Sequence, residues 1–280
     1  MCIRDRFGGR LPPLSFETDL IWVHSSDDFS LMLSDALDSA DAFWPIAPET
    51  AGTLTVLCRL AGAKGCLLLN SSADAVEKTT SKLASYYHLF NNGIVSVETQ
   101  PLEECNFPCH IDMVVKPDDG VGCEQTLLIP SGELPPQDLP AGTICQPFVE
   151  GTVGSISIIY SRTDVCVLSV NRQHVLVKDK HFSLQVCEVN ALPHLIGEAT
   201  EFAHAIHQVF PELLGYVGVD FILTNSGMSV LEINPRVTTS FVGLEQSISC
   251  NPSALVLSAV RGEVLECPRS DKTVEVHLNE

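Results

Sequence analysis

Basic residues are scarce in this chain. Lysine and arginine together number 16 against 35 aspartates and glutamates, giving a net charge of −19 over 280 residues. Nucleic acid and anionic membrane surfaces both require a basic face, so neither is expected as a partner. Long apolar runs are missing as well: no stretch approaches the ~20 residues a membrane helix needs, and no secretory leader is evident. Charged residues make up only 18% while hydrophobic ones make up 45%, which excludes a disordered chain and describes a globular one. Zinc-type spacing is also lacking. The eleven cysteines include a C-x₃-C at Cys105 and Cys109, but no second pair or histidine cluster completes a site. Cys66, Cys145, Cys166 and Cys187 lie in apolar runs as small core residues, and reduced thiols in the cytoplasm are the expectation.

Met1–Arg6 (MCIRDR) has no apolar periodicity and no relation to the rest of the chain. It reads as a non-native remnant, with the first natural elements lost. Beyond it, Thr18–His24, Ala42–Ile46 and Gly65–Leu69 read as strands, alternating with helical patterns over Asp27–Ala40 and Thr50–Ala63. That alternation predicts a parallel α/β layer. Glu49 follows the carboxyl end of a strand, where ligands of such sheets bind; an acid stabilised by a helix N-terminus explains it equally. Ser71–Phe90 reads as one helix, carrying Lys78 and stopped by Asn91-Asn92-Gly93.

His110–Lys116 is a strand ending in a lysine, followed by the glycine loop Pro117–Cys123. Loop N–H groups can wrap an anion while the ammonium neutralises it. No Walker loop is present, and a lysine at an exposed strand end gives the same string. Thr143–Val149 is apolar, Glu150–Gly154 breaks it, and Ser155–Tyr160 resumes as a strand. Such a break can be a hinge whose backbone pairs with a purine, or a plain turn. Val165–Val170 ends in polar Asn171–His174, Lys178–Phe182 reads as a loop, and Gly197–Phe210 as an amphipathic helix with solvated His204 and His207. Asn251–Arg261 is a short helix and Thr273–Leu278 a last strand.

The most chemical stretch is Gly218–Gly243. Two apolar strands, Val219–Leu223 and Ser229–Ile233, flank the turn residues Asn225-Ser226-Gly227, which predicts a hairpin. Glu232 and Asn234 are two apart and project together, and a hairpin brings Asp220 opposite them. Two carboxylates and an amide form a hard-oxygen set suited to Mg²⁺ that also holds phosphates. Arg236 places a cation beside them. A surface hairpin with solvated acids is the alternative.

In this order, Lys78, Lys116, the glycine loop, the hinge at Gln146–Glu150 and the D…E-I-N-P-R segment resemble the ATP-grasp family of carboxylate–amine and carboxylate–thiol ligases. The resemblance covers about Ser71–Leu244. The strings APET (Ala47–Thr50), KPDDGVG (Lys116–Gly122), SVNRQ (Ser169–Gln173) and EINPRVTTSFVGL (Glu232–Leu244) look most like the tyramine–glutamate ligases of methanofuran-type cofactor biosynthesis. The implied fold is α/β with α+β lobes: two subdomains clamping ATP (71–150 as lid, 151–280 as metal-binding part), after a partial Rossmann-like pre-grasp domain (1–70).

The resemblance further implies that Lys78 and Lys116 contact ATP phosphates under a loop containing Gly120 and Gly122. Gln146, Phe148 and Val149 line adenine, and Glu150 stands in for the ribose acid. Asp220, Glu232 and Asn234 hold one or two Mg²⁺ or Mn²⁺ ions, while Arg236 and Lys116 act on the transferred phosphoryl group. Family members often carry an acid where Gln146 stands and a ribose-binding acid a few residues past the hinge glycine, where this chain has Thr152-Val153-Gly154, so the ribose contacts depart from the pattern. The implied partners are ATP, a carboxylate such as L-glutamate and an amine such as tyramine; a homodimer is left open. The implied reaction is amide formation through an acyl-phosphate. A nucleotide-binding regulatory module without ligase activity, or a generic acidic α/β binding protein, are the rival readings.

Overall fold

The computed structural model describes residues 2–4, 20–22, 26–269 and 271–278. At the start of the chain, β1 (Cys2–Arg4) pairs parallel with β2 (Leu20–Trp22). Residues 2–4 therefore take part in strand pairing, although the sequence suggests that segment stands outside the fold. The remainder of the strand expected over 18–24 lies outside the described residues. Next come α1 (Ser26–Ser39), β3 (Ala42–Phe43), α2 (Thr53–Lys64) and β4 (Leu67–Leu68), with β3 and β4 parallel. Leu33, Leu37, Leu57 and Cys66 form the small core of this layer. Parallel strands separated by helices are what the alternation predicts.

The expected helix over 71–90 is two helices, α3 (Ala73–Thr80) and α4 (Lys82–Asn91). Serine chemistry explains the break. The Ser72 hydroxyl accepts from Ala75 N at 3.2 Å, and the Ser81 hydroxyl accepts from Ala84 N at 3.0 Å. Ser81 has an extended backbone (φ −79°, ψ 115°), so it ends one helix and caps the next. Lys78 then falls in the last turn of α3 and Lys82 at the start of α4.

After these come β5 (Gln100–Pro101), β6 (Met113–Pro117), β7 (Leu127–Ile129), β8 (Thr143–Pro147), β9 (Thr152–Tyr160), β10 (Val165–Lys178) and β11 (His181–Val189). The chain continues through α5 (Ile196–Val209), β12 (Gly215–Thr224), β13 (Gly227–Asn234), α6 (Phe241–Ile248), α7 (Pro252–Arg261) and β14 (Val274–His277). One sheet links β13-β12-β9-β10-β11-β7-β6-β8-β5, with β14 added on β11. The polar segment 171–174 does not end β10. Asn171 is buried there while Arg172 and His174 are exposed, so alternation carries the strand onward to Lys178. Asp179 and Lys180 turn it with φ of 50° and 70°. A hairpin turn needing positive φ at both positions is usually signalled by Asn or Gly; the Lys here hides it.

Packing sorts the helices differently from the boundary expected at residue 150. Ala75 of α3 and Leu89 of α4 join Ile156, Val217, Val219 and Ile206 in the largest core. Strands β6–β8 keep a separate small core around Val115, Ile129 and Cys145. The opposite face of the large sheet packs Leu168 and Tyr216 against Leu244 and Val256 of α6 and α7. Cys166 is joined there to Cys267 by a disulfide, with Cα atoms 5.5 Å apart. This corrects the expectation of thiols reduced throughout: the chain after α7 returns to the face that Cys166 occupies. Cys66, Cys145 and Cys187 are buried and free, as expected of small core residues. Among the described residues, no helix is long and apolar enough to cross a membrane.

Candidate functional site

The hairpin β12–β13 sets the site. Thr224 pairs with Gly227 at its tip, and Gly227 has φ 109°, which favours glycine. That register runs to Phe221 opposite Val230, and a bulge between Asp220 and Phe221 then places Asp220 opposite Glu232 and Gly218 opposite Asn234. Val219, Phe221 and Ile233 are buried in the core below, leaving the acidic side chains on the other face. Asn234 Nδ2 donates to Asp220 Oδ2 at 3.0 Å and reaches Glu232 Oε1 at 3.5 Å. From β10, Gln173 Nε2 donates to Asp220 Oδ1 at 3.0 Å. Arg236 donates through Nη2 to Asn234 Oδ1 (3.2 Å) and through Nε to Glu49 Oε2 (2.5 Å). The expected set of Asp220, Glu232, Asn234 and Arg236 is thus contiguous.

The cations facing it are not the expected pair. Lys82 is only 6% exposed, and its ammonium donates to Gly120 O at 2.7 Å and Asp118 O at 3.2 Å. It also forms an ion pair with Glu232 Oε2 at 3.2 Å. Lys116, on β6, completes the positive side. Lys78 is absent from this group: it is 46% exposed and pairs with Glu212 at 2.6 Å on the surface. A one-residue serine break leaves Lys82, and not Lys78, facing the carboxylates, because the two lysines no longer share one helix. The signal was Ser81 itself, a capping residue inside an apparent helix.

Electrostatics follow from this crowding. Burial would raise the Glu232 carboxyl, but Lys82 and Lys116 beside it hold it below the ordinary range. Burial and then the neighbouring Glu232 push Asp220 up, so its carboxyl retains a proton more readily. Burial lowers Lys116, an effect opposed by Glu232. Two half-buried carboxylates that resist carrying charge together are what a divalent cation relieves, so the donor set fits Mg²⁺ or Mn²⁺. Among the described residues, no group of three or more His, Cys, Asp or Glu is arranged to hold a metal ion, so such a site depends on the Asn234 amide.

A cleft of about 330 Å³ opens over these groups. Lys116, Gly120, Gly122, Asp220 and Glu232 line one end, with Gln146, Phe148 and Val149 lining the other. The Gln146 side chain is buried and donates to Thr99 Oγ1 at 2.9 Å, so that position offers a ligand mainly backbone. Glu150 is exposed and does not line the cleft. The glycine loop is pinned at both sides. Asp118 Oδ1 accepts from Leu83 N at 2.8 Å, and Asp119 Oδ2 accepts from Ala51 N at 2.9 Å. His204 and His207 lie on α5 and do not line the cleft; His207 is not the solvated residue expected, since its Nε2 is buried and its ring lies against Tyr160, tilted by 40° with centroids 4.8 Å apart.

Comparison with known proteins adds to this geometry. A family profile described as "ATP-grasp domain" matches residues 79–240, and one described as "pre ATP-grasp 3 domain" matches residues 2–76. The sequence is 28% identical over 224 residues to the tyramine–L-glutamate ligase of Methanocaldococcus jannaschii, covering 80% of this chain and 62% of that protein. The chain therefore spans less than two thirds of that relative's length. A solved ATP-grasp superfamily protein from Archaeoglobus fulgidus superposes with a TM-score of 0.66 at 26% identity, over 94% of this chain and 83% of that one. Biotin carboxylase from Campylobacter jejuni shares the fold alone, with a TM-score of 0.72 at 12% identity over 91% and 64% of the two chains.

Proposed function

Because the chain belongs to the ATP-grasp family and has its fold, we propose that it is an ATP-dependent carboxylate–amine ligase. The observation that carries this reading is the meeting of Asp220 and Glu232 with Lys82 and Lys116 in one cleft, with Asn234 hydrogen-bonded to both carboxylates. Its apolar end, with Phe148 and Val149, suits a purine held through hinge backbone, and its charged end suits a triphosphate. Asp220, Glu232 and Asn234 would hold one or two Mg²⁺ or Mn²⁺ ions, which when bound neutralise phosphoryl charge. Asn234 would ligate through Oδ1 after turning its amide away from the carboxylates.

The residues of this chain then divide the work. Lys116 and Lys82 offset the charge of the phosphates, and the loop 117–123 excludes water from them. Arg236 steadies the oxygens of the phosphoryl group as it moves to the substrate carboxylate. The carboxylate displaces ADP to give an acyl-phosphate, and an amine displaces inorganic phosphate to give the amide. Stabilising charge that develops on those oxygens is the main contribution required of the protein. L-Glutamate and tyramine are the substrates the relative's name suggests. The cytoplasm, which supplies ATP, is the compartment that fits; the Cys166–Cys267 bond pulls against it.

A second reading, a nucleotide-binding module without ligase activity, is favoured by one observation. Neither Gln146 nor Glu150 presents an acid to the ribose end of the cleft. Phosphate release from ATP separates the two. Release requiring both glutamate and tyramine supports the ligase; nucleotide binding with no release across a panel of carboxylates and amines supports the module.

A further inference from the structure

The sequence leaves Glu49 undecided between a ligand-binding acid and a helix-terminal one, and the ligase reading does not use it. Its placement is unusual for a surface-type residue. Glu49 is 4% exposed, and Oε2 accepts from Arg236 Nε at 2.5 Å. Its other oxygen, Oε1, is fully buried and has no hydrogen-bond partner. A buried carboxylate oxygen left without a donor is unfavourable, and native structures leave few such groups unless something binds there.

Glu49 borders a small cavity of about 10 Å³, together with Thr80, Lys82, Asp119, Glu232 and Asn234. That volume holds about one water-sized group. A primary ammonium is that size, carries three donors and brings positive charge to a carboxylate. The positive groups nearby are already engaged: Arg236 with Glu49 and Asn234, and Lys82 with Glu232 and the glycine loop. An incoming cation therefore meets an acceptor and no uncommitted cation. Thr80, Asp119 and Gly120 line both this cavity and a groove of about 620 Å³, whose lining also includes Thr55, Arg59 and Pro140. The groove has room for the body of an organic substrate. Asp119, common to both, is held in place: its carboxylate accepts from Ala51 N and its carbonyl accepts from Thr50 Oγ1 at 3.2 Å.

We propose that Glu49 binds the ammonium group of a substrate, in a subsite between the pre-grasp layer and the hairpin β12–β13, with the substrate's body in the adjoining groove. This rests on the ligase reading. The ammonium comes from one of two sources: the α-ammonium of the amino acid being activated, or the attacking amine.

The test uses the full chain with Mg·ATP and compares wild type, Glu49→Gln and Glu49→Asp. In one arm, hydroxylamine traps the acyl-phosphate as a hydroxamate with release of phosphate, using glutamate or glutarate, which lacks only the ammonium. In the other arm, tyramine replaces hydroxylamine. If Glu49 binds the activated amino acid, Glu49→Gln lowers the preference for glutamate over glutarate at least tenfold. If it binds the attacking amine, hydroxamate formation is unchanged while KM for tyramine rises at least tenfold. Glu49→Asp, which keeps the charge, recovers part of either loss, and KM for ATP stays constant.

Unchanged kinetics in Glu49→Gln overturns the proposal and leaves the cavity to water. An equal fall for glutamate and glutarate, with tyramine KM unmoved, also overturns it and makes Glu49 a positioning residue for Arg236. Wild-type protein that forms no product in either arm overturns the ligase reading and this inference together, a result distinct from both.

Discussion

The hairpin β12–β13 and the helix junction around Ser81 face each other through the Glu232–Lys82 pair, but they are specified in opposite ways. The hairpin is local: a two-residue turn sets its register as far as Phe221, and a one-residue bulge beside Asp220 shifts it so that Asp220 lies across from Glu232. The junction is non-local. Lys82 reaches its place because Ser81 breaks a helix, Asp118 caps the second helix through Leu83 N, and a loop more than thirty residues later supplies Gly120 O. One region is carried by its own sequence and the other by the segments that fold against it. Changes in the hairpin are therefore expected to remove function while sparing the fold, whereas changes at the junction affect both.

The largest effect is expected at Glu232. Glu232→Gln keeps the shape and the strand pairing but removes a charge from the proposed metal face. Turnover in the glutamate-plus-tyramine assay is expected to fall on the order of 10²–10³, comparable to losing one strong electrostatic stabiliser. Circular dichroism should remain that of wild type. Near-normal turnover would dissolve the metal assignment.

A smaller loss, about 10²-fold at most in kcat/KM for ATP, is expected for Lys82→Met, which retains the apolar stem but not the ammonium. Both variants break the Lys82–Glu232 pair, but Lys82→Met also leaves the Asp220 and Glu232 carboxylates facing each other without that cation, so it lowers thermal stability in metal-free protein more than Glu232→Gln does. Mg²⁺ should restore part of that stability by supplying the missing positive charge. A Lys82→Met protein as stable as wild type without metal would show the junction to be as dispensable to the fold as the hairpin acids.

The same contrast explains what the sequence reveals. Asp220, Glu232, Asn234 and Arg236 were legible because strand alternation and turn residues are short-range rules, and the structure keeps these four together. Lys116 and the glycine loop were legible for the same reason: a strand end and its loop are contiguous. Lys82 was not, since it lies four residues from a lysine of identical chemistry, and only the cap at Ser81 distinguishes them. The continuation of β10 past Asn171 was hidden because its exposed face is polar, and polar residues on a solvated strand face resemble a loop. The pairing of Cys166 with Cys267, 101 residues apart, follows from the return of the chain over the sheet and has no local signature. Glu49 had a local signature with two explanations. Only Arg236, brought from the far end of the chain, shows that its carboxylate is buried rather than solvated at a helix end.

The smallest effect is expected at Lys78, and it provides the sharpest test of the contrast between hairpin and junction. Its partner Glu212 has its carboxyl held below the ordinary value, chiefly by the hydrogen bond from Lys78. A carboxyl depressed in the folded state contributes stability above its unfolded pKa, and that contribution is lost as pH falls through the folded value. Lys78→Ala should therefore be slightly less stable than wild type at neutral pH, and the two proteins should converge in acid. Both partners are largely exposed, so the neutral-pH difference should not exceed about 1 kcal/mol, read as a Tm change of at most about 4 °C. Because Lys78 points away from the cleft, kcat/KM for ATP should change less than about twofold, well inside the range expected for an exposed ion pair. A loss in Lys78→Ala as large as that in Lys82→Met would mean that the helix opens at Ser81 during turnover and brings the first lysine to the phosphates. The junction would then be a moving part, and the fixed hairpin its stationary counterpart.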